Sequence, residues 1–289
     1  MSICNQCPRR CNVDRAKTTG FCNSPKDFSV ARVDLHPWEE PVICGKNGAG
    51  TIFFTGCNLR CVFCQNRAVS RGGAGSRMTA DELAAAILDL QARGAACIDL
   101  VTPTHYALQL APVLRAVRPK LHIPVVYNCG GYESTEALRA LEGLVDIYLP
   151  DCKYFSNELA ASLSRAENYF SVATEALAEM LRQVGDPLYA PDGSLARGVI
   201  VRHLVLPGHR ADSISLLRAL AARFGSGRFL LSLMAQYTPD FLDPDAPKEL
   251  SRRLTSFEYQ SVLTVAAELG FSGFSQSPES ATARYTPEF

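Results

Sequence analysis

Cys57, Cys61 and Cys64 stand together in "GCNLRCVFCQN", residues 56–66, with the spacing C-x3-C-x2-C. Thiolates this close are metal ligands by type. The polar Asn58, Arg60 and Gln65 beside them argue against three reduced thiols buried in an apolar run. A structural zinc site takes four ligands, so zinc needs a partner from elsewhere in the chain. An iron–sulfur cube also takes four thiolates as a rule. Three leave one iron open to a ligand that is not protein, and an open metal position is where chemistry happens.

A second set, Cys4, Cys7, Cys11 and Cys22, lies near the N-terminus. Four thiolates can close a site, so its expected role is structural or electron-transferring. Only one C-x2-C knuckle is present, where a zinc ribbon offers two. Three close cysteines with one remote resemble ferredoxin-style binding, and both iron–sulfur and zinc stay open. The plainer alternative is a flexible tail of reduced thiols. Pro8, Arg9 and Arg10 suit a tight loop whose cations offset polythiolate charge. Cys44, Cys97 and Cys129 have no ligand spacing and read as free thiols, and Cys152 reads as a core thiol under a helix. Cys129 is expected to be the most exposed of these, because it ends a strand beside two glycines.

The elements that must position these residues alternate strand and helix. Strands are expected at 51–56, 98–103, 123–128, 145–151, 199–207 and 228–234. Helices are expected at 79–94, 108–117, 134–142, 172–184, 212–223 and 256–269, the first with Thr79 as N-cap and Glu82 completing a capping box. Six such units imply parallel βα connections, either as a doubly wound sheet or as a complete or partial barrel. Residues 1–50 read as a cysteine-rich, loop-rich metal-binding cap and 51–289 as the core. Residues 238–250 read as a long loop and 275–289 as an extended tail. Sites in such folds gather at the C-terminal ends of the strands. The triple cysteine, "TPTH", "NCGG", "PDCK", "LPGH" and "MAQY" all fall there. Asp151 and Lys153 lie two apart, so both face one side while Cys152 faces the other. Burying that pair is costly without a purpose, though an ordinary strand-end ion pair is the alternative. His203 reads as a hydrogen-bonded core residue, with Arg202 on the opposite face. His36, beside Trp38, reads as packing between cap and barrel.

Composition excludes several classes. The 289 residues are 47% apolar, enough for a large core, and 29 basic side chains balance 29 acidic ones. A nucleic-acid protein usually carries a basic excess, so no nucleic acid is expected. No run of about 18 apolar residues suggests a membrane span, and "MSICNQCPRR" lacks a signal-peptide core. A cytoplasmic location is therefore expected. Disulfides are rare there, so eleven cysteines need another explanation.

With Phe63 just before its third cysteine, and following "GTIFFTG", the triple-cysteine loop resembles that of the radical S-adenosylmethionine (SAM) superfamily. "DCK" and "VRHLVLPG" add a resemblance to the pyruvate formate-lyase activating enzyme group. "CPRRC", "VTPTHY", "VYNCGGYE", "VDIYLPDCKY" and "SLMAQYTP" resemble its PflX-like branch. The resemblance covers nearly the whole chain. It implies an α/β fold, a partial (β/α)6 TIM-like barrel carrying the N-terminal cap. It also implies a catalytic [4Fe-4S] cluster on Cys57, Cys61 and Cys64, whose fourth iron is chelated by S-adenosylmethionine. Reductive cleavage of that cofactor gives a 5′-deoxyadenosyl radical for hydrogen abstraction. Asp151 and Lys153 match residues that help bind the cofactor, and Phe63 belongs to the cluster loop.

Three positions depart from the activating enzymes. "VTPTH" replaces a glycine-rich segment, so Thr102, Thr104 and His105 are candidates to offer hydroxyls or carbonyls there. Gln236 and Tyr237 lie near a cofactor-contacting histidine position. Asn128 falls near an acidic position of a monovalent-cation site and has lost its charge. The implied partners are a low-potential electron donor such as flavodoxin or ferredoxin and a glycyl-radical enzyme as protein substrate. A small metabolite or peptide substrate is the second reading, and an iron–sulfur electron carrier or binding module the third. The cap, tied by a second [4Fe-4S] cluster or Zn, is expected near one rim of the barrel. There it would govern substrate access or docking, with electron relay as the alternative.

Overall fold

In the computed structural model, which describes residues 3–276, the parallel strands are Ala49–Phe54, Ile98–Val101, Val125–Cys129, Ile147–Pro150, Leu195–Leu204 and Leu230–Met234. They pair in chain order, each parallel to the last. Every residue of Ala49–Phe54, Ile98–Val101 and Val125–Cys129 is buried. That is the pattern of strands covered on both faces. Helices Ala80–Ala92, Ala107–Val117, Thr135–Arg139, Tyr169–Val184, Arg210–Phe224 and Ser256–Glu268 return the chain. Thr79 and Thr255 each close a capping box, with Glu82 and Glu258, which fixes two helix starts. The sheet runs from Gly273–Ser275 at one edge to Phe28–His36 and Ser76–Met78 at the other. It therefore stays open, and the fold is a partial α/β barrel.

Two expectations are corrected. Residues 28–36 are not loop: Phe28–His36 is a nine-residue strand antiparallel to Ala49–Phe54. The apolar alternation Phe28, Val30 then Val33, Leu35 slips phase at a bulge between Val30 and Arg32. A bulge inserts one residue and breaks the period-two signal. The segment outside the sheet thus ends near residue 27. It holds the short ladder of Ile3–Cys4 with Val13–Asp14. Residues 273–275, near the expected tail, add a parallel strand beside Leu230–Met234. The tail from 277 onward lies outside the described residues. The second correction is Cys129, which is only 2% exposed and less open than Cys44 at 8%. The chain folds over it: the Tyr169 hydroxyl donates to the Gly130 carbonyl at 2.8 Å. Gly131 (φ +79°) lies so close to the Asp151 carbonyl that a Cβ would sit 2.1 Å from that oxygen, so only glycine fits.

The main core fills the space between sheet and helices. A second apolar nest, with Leu59, Phe63, Tyr132, Tyr154, Tyr169 and Tyr237, surrounds the triple-cysteine loop. Among the described residues no helix is long and apolar enough to cross a membrane.

Candidate active site

The strand ends open into a cleft of about 1320 Å³, mouth included. Cys57, Cys61, Phe63 and Cys64 line one wall. The loop is held by its neighbours. A Cβ on Gly130 would stand 2.7 Å from Leu59, so the loop packs directly on the third parallel strand's end. Phe63 meets Tyr237 edge-on, with centroids 6.3 Å apart. The thiols are also served by donors. The Leu59 N–H lies 3.3 Å from Cys57 Sγ, and the Ser164 hydroxyl donates to Cys61 Sγ at 2.9 Å. Burial, then the neighbouring Cys61 thiol, push Cys57 up to about 12. The same two causes raise Cys64. Cys57 and Cys64, crowded against Cys61, resist becoming thiolates unless positive charge arrives with them. The fourth cysteine bordering the cleft, Cys129, is engaged with Glu133 instead.

An ion network lines the same cleft. Lys153 Nζ donates to Asp151 Oδ2 at 2.6 Å, and Arg202 Nε to Asp151 Oδ1 at 3.1 Å. Burial favours neutral forms here. The charges of Lys153 and Arg202 nevertheless hold Asp151 below its ordinary value. Likewise burial pulls Lys153 down, but Asp151 and then Cys61 outweigh it and leave it raised. Arg202 also donates to Asn128 Oδ1, while the Asn128 amide donates to Asp99 Oδ2 at 3.2 Å. Glu39 stands 3.9 Å from Arg202 and, like Glu40, is pushed up mainly by burial. Asp99 is pushed up for the same reason. Among the described residues its Oδ1 has no hydrogen-bond partner, and its charge adds to the burial that pushes Glu39 up.

The sequence candidates divide. Cys57, Cys61, Cys64, Phe63, Thr102, Asn128, Asp151, Lys153 and Gln236 all line the cleft. Thr102 does so with φ +57°, a strained conformation for a β-branched residue that marks a site. Gln236 is anchored by the Gln276 amide at 3.1 Å. Thr104 is not with them: it is buried and donates to Glu133 Oε1 at 2.6 Å. His105 is buried too, with Nε2 2.8 Å from the Thr55 carbonyl. His203 packs with Nδ1 2.7 Å from the Cys152 carbonyl, and Arg202 faces the cleft. His36 lines the cleft against Phe53, ring centroids 6.3 Å apart. Sequence reasoning missed Glu39, Glu40, Asp99 and Glu133. A usable signal existed only for Asp99, a lone acid in an otherwise apolar strand.

Glu133 yields a test of the burial argument. Burial pushes its carboxyl up to about 7, against the hydroxyls of Thr104 and Tyr127 at 2.6 and 3.0 Å. A raised carboxyl favours the fold while protonated in it. That stability is fully present below the ordinary value of 4.5 and lost as pH rises through about 7. Glu133→Gln should therefore flatten the fall in melting temperature across that window. An unchanged slope would show that Glu133 is ionised throughout.

A family model of the radical SAM superfamily matches residues 51–214, and the chain belongs to that superfamily. Membership implies a [4Fe-4S] cluster and S-adenosylmethionine. The uncharacterized protein MJ0674 of Methanocaldococcus jannaschii is 29% identical, over 91% of this chain and 74% of that one. A radical SAM methyltransferase from Sphaerobacter thermophilus has a TM-score of 0.53 at 17% identity, covering 82% of this chain and 71% of that chain. SuiB of Streptococcus suis, bound to its precursor peptide SuiA, has a TM-score of 0.52 at 10% identity, covering 76% and 46%. Both structures share the fold.

The residues present fit the implied groups. A partly buried, donor-served set of soft thiols suits iron–sulfur, and a cation lies near it in Lys153. Among the described residues no three His, Cys, Asp or Glu side chains gather for a single metal ion, so the fit rests on donor chemistry.

Proposed function

We propose that Cys57, Cys61 and Cys64 hold the catalytic [4Fe-4S] cluster, and that the facing strand ends bind S-adenosylmethionine for hydrogen abstraction from a glycyl residue of a partner enzyme. When bound, these groups supply a one-electron cleavage of the sulfonium to methionine and a 5′-deoxyadenosyl radical. The observation that carries this reading is the convergence in one cleft of three thiols with Asn128, Asp151, Lys153, Arg202 and Gln236. An electron carrier has no use for such a cleft. Lys153 presents an ammonium suited to a ligand carboxylate, oriented by Asp151. Leu204, Met234 and Phe241 give the cleft apolar wall, which excludes water from a reactive species. The glycyl target is supported by the likeness of the cluster loop and "DCK" to the activating enzymes. A peptide or small metabolite is the second reading, and SuiB shares the fold with a peptide bound. The N-terminal cysteines hold a second metal group in this reading, and a low-potential flavodoxin or ferredoxin is the electron source.

The test is anaerobic reconstitution with iron and sulfide, followed by dithionite and S-adenosylmethionine. A brown, oxygen-sensitive protein should carry about four irons per chain if the N-terminal set takes zinc and about eight if it takes a second cube. It should release 5′-deoxyadenosine slowly without substrate. Colourless protein, or brown protein that leaves the cofactor intact, overturns the proposal. An added glycyl-radical enzyme should gain a radical signal, and its failure to do so would favour the second reading.

A further inference from the structure

Among the described residues Thr102 is the only β-branched one with positive φ, at +57°, and it lines the cleft. Such strain persists only where the surroundings over-determine the backbone. They do so here on both sides. The Thr102 N–H donates to the Asn128 carbonyl at 2.8 Å. Beyond Pro103, the Thr104 hydroxyl is bound to Glu133 and His105 Nε2 meets the Thr55 carbonyl. The Tyr106 hydroxyl donates to the Asp27 carbonyl at 2.9 Å and accepts from the Ser29 N–H at 3.1 Å.

The closest hold comes from the cap, and from outside the cleft. Among the described residues none before His36 lines that cleft. Two cap side chains nevertheless converge on the His105 carbonyl, three positions after the strained residue. Gln6 Nε2 donates to it at 2.7 Å, and Arg15 Nη1 donates to it as well. Both lone pairs of that oxygen are thus engaged. Gln6 also accepts from the Leu108 N–H at 3.2 Å, one of the amides left open at the start of helix Ala107–Val117. One side chain therefore pins the turn and the helix that follows it. Arg15 is anchored from behind, to the Ser24 carbonyl at 3.2 Å and to the Pro25 carbonyl, with its guanidinium 4.8 Å from the Tyr106 ring centre. Gln6, Arg15 and His105 are all buried. A cap that merely covered the core would be better served by apolar side chains there, since buried polar groups cost stability unless each is paired.

We propose that Gln6 and Arg15 are positioning residues for cofactor binding: by clamping the His105 carbonyl they keep Thr102 in the conformation in which it lines the cleft. This deepens the preceding reading and rests on it. Released from the clamp, Thr102 relaxes toward negative φ. Binding must then restore the strained state, and apparent affinity falls with the fraction of competent molecules. The cysteine loop is held separately, through Leu59, Phe63 and Ser164, so iron retention does not depend on the clamp.

The experiment titrates S-adenosylmethionine calorimetrically into reconstituted wild type, Gln6→Met, Thr102→Gly and the Gln6→Met/Thr102→Gly double variant. Gln6→Met keeps the side chain's length and removes both hydrogen bonds. It should weaken binding by about 10-fold, the scale of one strained residue. Its iron content, and its 5′-deoxyadenosine release at saturating cofactor, should match wild type. Glycine adopts positive φ without strain. In the Thr102→Gly background the same Gln6 substitution should therefore change affinity by less than about twofold. An equal loss in both backgrounds overturns the proposal, because Gln6 would then support the fold and not the Thr102 conformation. Undiminished affinity of Gln6→Met with Thr102 present overturns it too. Should Gln6→Met fail to fold, Arg15→Lys goes through the same two backgrounds and is judged by the same rule. Wild type that binds no S-adenosylmethionine would instead sink the reading of the cleft itself.

Discussion

Cys61→Ala should lose one cube's worth of iron, about four per chain, and with it all cleavage of S-adenosylmethionine. The fold and the cap's metal should be kept. Cys61 is the most enclosed of the three loop cysteines, 6% exposed. Its sulfur accepts from Ser164, and that hydroxyl also meets the Tyr154 hydroxyl at 2.6 Å. Removing the sulfur leaves Ser164 with Tyr154, so the stability cost should stay near 1 kcal/mol, the scale of one hydrogen bond. The chemical cost is total, because two thiolates cannot hold a cluster that already lacks a fourth protein ligand. Measured together, iron content, melting temperature and 5′-deoxyadenosine release separate the two costs. Retention of full iron with normal cleavage would show that Cys61 is a core thiol and the ligand set lies elsewhere.

Local pattern made the cysteine wall of the cleft legible. The cysteine spacing is contiguous, and each barrel strand is a short apolar run closed by polar residues. Asp151 and Lys153 were readable because strand alternation is itself local, and both do line the cleft. The partners of Asp151 were harder to find. Arg202 comes from a strand fifty-one positions on, and Glu39 enters from a loop before the barrel begins. Nothing in "WEEP" says that Glu39 will be buried beside Asp99, since tertiary packing alone puts two carboxyls together. Thr104 misled for a related reason. It follows Pro103 in a single 3-10 turn, and that turn aims its hydroxyl at Glu133 rather than into the cleft. The first sheet strand was hidden by its bulge. Cys129 was misjudged because its two glycines permit a backward fold and do not simply loosen the strand end.

Lys153→Ala should weaken S-adenosylmethionine binding by about 10- to 100-fold, the equivalent of losing one charge-assisted hydrogen bond of roughly 1.5–3 kcal/mol. Iron content should barely change. The reason lies in how Asp151 is held. Its two oxygens are shared between Lys153 at 2.6 Å and Arg202 at 3.1 Å. Loss of the lysine therefore leaves the carboxylate paired and the strand end folded, short of the several kcal/mol expected when a buried charge is left wholly alone. What disappears is the ammonium facing the cleft. Its charge also acts on Cys61 and Cys64, so the reduced cluster should become somewhat harder to form, a shift readable by redox titration. Calorimetric titration of cofactor into wild type and variant, beside iron analysis of both, gives the comparison. Parallel loss of iron and cofactor affinity would mean that Lys153 holds the fold of the strand end. Unchanged affinity would return Asp151 and Lys153 to the role of an ordinary ion pair at the mouth of a barrel.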